Sequence, residues 1–249
     1  MIFRQLFEPL SSTYTYLIGC EETRQCALVD PVYPTWERDR DLLRQLGLEL
    51  CLTLETHVHA DHITSARKLR EEMGSRVGYP LKSECDCADL AIEEGNSVHV
   101  GTVAIEPIYT PGHTDDHFCY RVGDRVLTGD CLLIDGCGRT DFQNGDAGEL
   151  YDSIHRKLFS LPGETLVYPG HDYNGRRVSC IAQEKARNPR LGGGRGRADY
   201  IALMKGLELA YPKFIDYAVP GNRQCGRCPE DLPEKLETYC RQMTESPQG

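Results

Sequence analysis

The chain has 249 residues, 40% hydrophobic and 27% charged, enough for one large globular domain and too apolar for intrinsic disorder. Its formal net charge of -10 argues against a general binder of nucleic acid or anionic membranes, since both need clustered Lys and Arg; small-molecule partners are expected instead. With no basic segment leading into an apolar run and no apolar stretch approaching about eighteen residues, a cytoplasmic setting is expected, with the twelve cysteines reduced.

Residues 13–18 alternate as a half-buried strand, and 25–30 supply its hairpin partner after a polar turn. Residues 35–46 have apolar spacing suited to a helix capped by Gly47, and 48–54 alternate as a strand that runs into Thr56-His57-Val58-His59-Ala60-Asp61-His62. From Asp61 the period turns helical through Ile63, Ala66, Leu69 and Met73, with Gly74 as the stop. Residues 98–109 and 118–128 read as strands, the second turning at 122–125. Asp146 and Glu149 resemble a capping box for a helix through Leu150, Ile154 and Leu158. A short apolar strand at 165–168 follows, and 177–185 returns to helical spacing. Residues 192–196 lack the Lys-Ser/Thr of a phosphate-binding loop and read as a flexible linker. Strands first and strand–helix alternation later predict a layered α/β protein.

Five histidines follow apparent strands in short Gly-, Pro-, Thr- and Asp-rich contexts: His57, His59, His62, His113 in Pro111-Gly112-His113-Thr114, and His171 in Pro169-Gly170-His171-Asp172. Asp130 ends another strand in Thr128-Gly129-Asp130. Strand-end loops let a rigid scaffold aim side chains at one point. Imidazole and carboxylate without thiolate suit iron, zinc or manganese, and the H-x-H-x-D-H run alone leaves one metal or two open. His99, His117 and His155 read as ordinary structural histidines.

These motifs resemble the metallo-β-lactamase superfamily. The resemblance implies an αββα four-layer sandwich over residues 1–191, with 192–249 as a C-terminal extension packing on the same domain. A dinuclear member would hold one metal with His57, His59 and His113 and a second with Asp61, His62 and His171, bridged by Asp130; glyoxalase II, a glutathione thioester hydrolase, is the relative of that type. Gly136-Cys137-Gly138-Arg139-Thr140-Asp141-Phe142, Tyr168-Pro169-Gly170-His171-Asp172-Tyr173, Asn188-Pro189-Arg190-Leu191 and Ile215-Asp216-Tyr217-Ala218-Val219-Pro220 narrow the choice. Together with H-x-H-x-D-H they closely resemble the persulfide dioxygenases, over about nine tenths of the chain.

That resemblance implies one iron(II) per chain on His57, His113 and Asp130, with His59, Asp61, His62 and His171 orienting ligands and water around it. It implies oxidation of glutathione persulfide by dioxygen to sulfite and glutathione, in sulfide or sulfur metabolism. Arg139 is placed to pair with a glutathione carboxylate, Tyr173 to hydrogen-bond substrate or an iron-bound ligand, and Cys137 either beside the pocket or as a buried structural thiol. Two alternatives stand beside it: the dinuclear thioester hydrolase, and a non-enzymatic thiol or persulfide sensor using Cys85, Cys87, Cys225 and Cys228. Asp115, Asp116 and His117 depart from the small or apolar residues expected after His113. The C-x-x-C of Cys225 and Cys228 has no second pair for a zinc ribbon, so these thiols are unassigned. Assembly into a homo-oligomer is left open.

Overall fold

The structure, a computed structural model, describes residues 1–227. They fall into two compact units, and the described strands make two six-stranded mixed sheets, in keeping with the α/β class expected.

The first unit comprises residues 1–92 and 99–103 together with the described residues from Tyr211. Strands β1 (Ile2–Glu8), β2 (Thr13–Gly19) and β3 (Gln25–Val29) form an antiparallel meander. The sheet continues in parallel through β4 (Glu49–Leu54), β5 (Arg76–Pro80) and β6 (Leu90–Ile92). Parallel neighbours need crossovers, and α1 (Trp36–Leu46) and α2 (Ala66–Met73) supply the first two, each ending on a left-handed glycine, Gly47 and Gly74. Leu43 and Leu69 from these helices pack with Leu17, Leu28 and Leu50 from the sheet. All seven residues of β2 are buried, so this strand is covered on both faces and not half-exposed as its alternation suggested.

Helix α2 starts at Ala66, five residues later than its spacing suggested. The intervening backbone bonds outward: Ile63 O accepts from Tyr33 N, Ser65 N donates to Pro31 O, and Thr64 N donates to Asn222 Oδ1.

Asp39, in the first turn of α1, is fully buried; one carboxylate oxygen pairs with Arg38 and the other has no hydrogen bond among the described residues. Burial pushes its carboxyl up to about 6, against the pull of Arg38. A folded pKa above the unfolded value of about 3.9 means the folded chain holds the extra proton. Stability is therefore lost as pH rises from about 4 through about 6. Asp39→Asn is expected to stabilise the protein by about 2 kcal/mol near neutral pH and by little near pH 4, measured as denaturant midpoints at the two pH values.

The second unit comprises residues 93–98 and 104–210. The second sheet, most of whose residues belong to this unit, sets β7 (Val98–Val100), β8 (Val103–Tyr109), β9 (Phe118–Val122), β10 (Arg125–Gly129), β11 (Leu166–Pro169) and β12 (Ser179–Cys180) side by side in chain order. The single strand expected over 98–109 is thus two strands, broken at Gly101 and Thr102. β10 and β11 run parallel, and α3 (Ala147–Ser153) lies in their crossover, its N-terminus capped by the Asp146 carboxylate, which accepts from Glu149 N. Helix α4 (Ile181–Arg187) starts later than expected because Ser179 and Cys180 pair with β11. Residues 192–196 begin as an ordered turn, Gly192 N and Gly193 N donating back to Asn188 O and Lys185 O, before α5 (Arg197–Lys205). Leu150, Ile181, Tyr200 and Met204 pack with Val126 and Val167 in this unit's core.

Helix α6 (Ile215–Asn222) belongs with the first unit. Just beyond it Cys225 is joined to Cys87 by a disulfide, which corrects the expectation that these thiols are reduced; Cys228 lies outside the described residues. The bridge spans 138 residues of chain, and closing so long a loop restricts the unfolded state strongly. Cys87→Ser is expected to lower stability by about 2–4 kcal/mol. A reductant should shift the denaturation midpoint of the parent protein in the same direction and leave that of the variant unmoved. No helix of the described residues is long and apolar enough to cross a membrane.

Candidate metal centre

In the first unit, β4 delivers the chain into the histidine run, and Asp30, directly after β3, organises it. Asp30 Oδ1 accepts from Thr56 N at 2.7 Å and pairs with His59 Nε2 at 3.0 Å, while Oδ2 accepts the Thr56 hydroxyl at 3.0 Å. Because that hydroxyl spends its proton on Asp30, its oxygen accepts from His57 Nδ1, 2.9 Å away. The proton on Nδ1 puts the His57 lone pair on Nε2, the state in which a histidine ligates a metal.

His59 is treated differently. Its Nε2 also lies 3.3 Å from Glu55 Oε2. Burial opposes a charge on this imidazole, yet Asp30 and Glu55 together hold its pKa well above the usual range. Burial in turn pushes Glu55 up to about 7, moderated by His59. His59 Nδ1 is buried with no hydrogen bond among the described residues, and His59, Asp61 and His62 offer ligand atoms within 4.8 Å of one another. His62 Nδ1 meets Asp61 Oδ2 at 2.9 Å.

In the second unit, His113, Asp130 and His171 follow the C-terminal ends of β8, β10 and β11. His113 Nδ1 lies 2.7 Å from Arg139 O, a carbonyl that can only accept, so the lone pair again sits on Nε2, here 3.6 Å from Asp130 Oδ2. His171 Nε2 approaches the other oxygen, Oδ1, at 3.5 Å. His117, read from sequence as an ordinary structural histidine, holds the Asp130 backbone: its Nε2 accepts from Asp130 N at 3.2 Å while Nδ1 meets Thr110 Oγ1 at 2.9 Å. The sequence signal was its place beside His113; its partner could not be read there.

Two glycines make room for these groups. A Cβ on Gly138 would sit 2.4 Å from Asp130 O and 2.7 Å from His113 Nδ1, and one on Gly170 would sit 2.8 Å from Asp130 Oδ1. That Oδ1 is buried and receives no hydrogen bond among the described residues. A buried carboxylate oxygen without a donor, beside the His113 imidazole whose tautomer exposes Nε2, fits a divalent metal of the iron, zinc or manganese kind.

Arg139 donates from Nε and Nη2 to the two carboxylate oxygens of Asp141, both at 2.7 Å, and from Nη1 to Ala210 O at 2.8 Å. Three of its five N–H groups are thereby used. Tyr173 is 74% exposed, its ring parallel to that of His171 with centroids 6.1 Å apart. Cys137 is buried with its sulfur 3.3 Å from Tyr200 Oη, and burial pushes its thiol up, which describes a core thiol. Asp116 accepts from the Thr114 hydroxyl within its own loop, and Asp115 accepts from the amide of Asn144, 29 residues on.

A family model described as the metallo-beta-lactamase superfamily matches residues 9–171. Persulfide dioxygenase ETHE1 of Homo sapiens is 44% identical over 228 residues, which cover 91% of this chain and 89% of that protein. The chain belongs to the persulfide dioxygenase family of that superfamily. The crystal structure of ETHE1 from Myxococcus xanthus superposes on this chain with a TM-score of 0.89 at 53% identity, covering 91% of this chain and all of that one. The fold is therefore the metallo-β-lactamase fold expected from the motifs. A probable hydroxyacylglutathione hydrolase of Schizosaccharomyces pombe is 36% identical over 179 residues, 68% of each chain.

Proposed function

We propose that this protein oxidises the outer sulfur of glutathione persulfide with dioxygen, on one iron(II) held by His57, His113 and Asp130. The observation that carries the reading is 44% identity to a persulfide dioxygenase along 91% of the chain. In balance, glutathione persulfide, dioxygen and water give glutathione, sulfite and two protons. Iron(II), when bound, supplies the electron transfer that lets dioxygen react with a closed-shell sulfur compound.

The chain's own residues supply orientation. Asp30 and Thr56 set the tautomer of His57, the Arg139 carbonyl sets that of His113, and His117 fixes the Asp130 backbone. Two N–H groups of Arg139 remain to pair with a glutathione carboxylate, held in place by Asp141 and by the Phe142 ring 4.6 Å beneath the guanidinium. Tyr173 is the proposed hydrogen-bond donor at the exposed side of His171. His59, with Nε2 drawn to Asp30 and Glu55, serves with Asp61, His62 and His171 around the iron. Among the described residues eight further cysteines are outside any disulfide, and the cytoplasm is the proposed setting.

The second reading, a dinuclear thioester hydrolase, rests on the closely set ligand atoms of His59, Asp61 and His62. Oxygen uptake driven by glutathione persulfide, with one sulfite formed per dioxygen and about one iron per chain, is the expected result. No uptake by an iron-loaded sample would sink the dioxygenase reading, and about two metals per chain with thioester hydrolysis would establish the second.

A further inference from the structure

We infer that Asn222, at the end of α6, is a positioning residue for the metal-binding loop. It is fully buried. Its Nδ2 donates to both His59 O and His62 O, each at 2.8 Å, and its Oδ1 accepts from Thr64 N at 2.9 Å. Both amide protons are thus spent on two carbonyls of the histidine run, and the amide oxygen takes the N–H that follows. The pattern fixes the orientation of the amide, because the flipped form would face two carbonyls with an oxygen and an N–H with an NH2 group.

The segment that carries Asn222 is itself anchored. Cys225, three residues on, is bonded to Cys87, and its carbonyl accepts from Arg67 N at 3.0 Å. Gly226 runs so close to the histidine loop that a Cβ there would lie 2.0 Å from Thr64 O. Asn222 therefore presents a fixed three-point template to residues 59–64. The rings of His57, His59 and His62 touch in series along this run, tilted at 53° and 36° with centroids 4.2 Å and 4.3 Å apart, so a displaced His59 ring presses on that of His57. Asn222 touches no reacting atom and acts only through that loop. The inference rests on the reading above that His57 is a metal ligand.

The test measures iron(II) retention and the visible spectrum of the cobalt(II)-loaded protein in Asn222→Ala and Asn222→Asp, with Leu43→Ala as a control. Leu43 is a fully buried α1 residue whose truncation leaves a core cavity and lowers general stability. Asn222→Ala is expected to lose metal affinity 10–100-fold, the range typical for groups that orient ligands, and to shift the cobalt spectrum. Asn222→Asp keeps the acceptor for Thr64 N but loses both donors, and should fall with the alanine variant; where the alanine variant does not fold, it carries the test alone. Leu43→Ala should lose stability and keep both the affinity and the spectrum.

Parent-like affinity and spectrum in Asn222→Asp would overturn the inference, as would the same loss of affinity in Leu43→Ala. A parent protein that retains no iron would instead overturn the assignment of His57, and the positioning role with it, a result distinguishable because it appears before any variant is made.

Discussion

Asp130→Ala is expected to strip the metal and cut persulfide turnover by more than about 100-fold, beyond the range seen when only ligand-orienting groups are lost. Asp130 is the one anionic member of the proposed triad, so its loss removes charge neutralisation as well as a donor atom. Its Oδ1 is buried without a hydrogen bond among the described residues, and its backbone is held by His117 and by Gly138 N, 2.7 Å from Asp130 O. The carboxylate is thus fixed at the backbone and left open at the ligating end. Removing it disturbs little packing, so the variant should fold with circular dichroism like that of the parent. His57→Ala should behave in the same way. Full iron occupancy in either variant, read by elemental analysis of the purified protein, would refute the ligand assignment.

Gly138→Ala, a single added methyl, is expected to reduce turnover by about 100-fold, the cost that a 1 Å misplacement of reacting groups can carry. The methyl would lie 2.4 Å from Asp130 O and 2.7 Å from His113 Nδ1, with backbone among the atoms it meets, so no side-chain rotation relieves the clash. Separating the two loops breaks the Gly138 N to Asp130 O bond and draws the neighbouring Arg139 carbonyl away from His113 Nδ1, loosening the tautomer that exposes Nε2. Gly170→Ala presses on Asp130 Oδ1 itself and should give a comparable loss. Steady-state kcat with metal content measured on the same sample is the check. An unchanged kcat at full metal loading would show that the two loops can part without consequence.

The strand-end histidines and Asp130 were legible because each lies in a short local context of glycine, proline and threonine after an apolar run, and local context is what a sequence displays. The capping role of Asp146, the stops at Gly47 and Gly74 and the turn near Gly123 were legible for the same reason. What escaped was long-range. Nothing near Asp30 or Glu55 marks them as the acids that hold His59, and Asn222 meets the histidine run across 160 residues of chain. The start of α2 was misplaced because residues 63–65 form hydrogen bonds to Tyr33, Pro31 and Asn222 instead of within a helical turn. Cys87 and Cys225 were visible as thiols, but their pairing depends on where α6 lies, which no local pattern states.

The reach from Asn222 back to His62 also has a meaning in time. A ribosome adding about 5–20 residues per second releases the histidine run roughly 8–30 s before it makes the asparagine that holds it. For that interval the nascent chain carries the histidines without the template that shapes their loop, and the finished metal grip is withheld until α6 is synthesised. Metal loading is in this way coupled to the synthesis of α6.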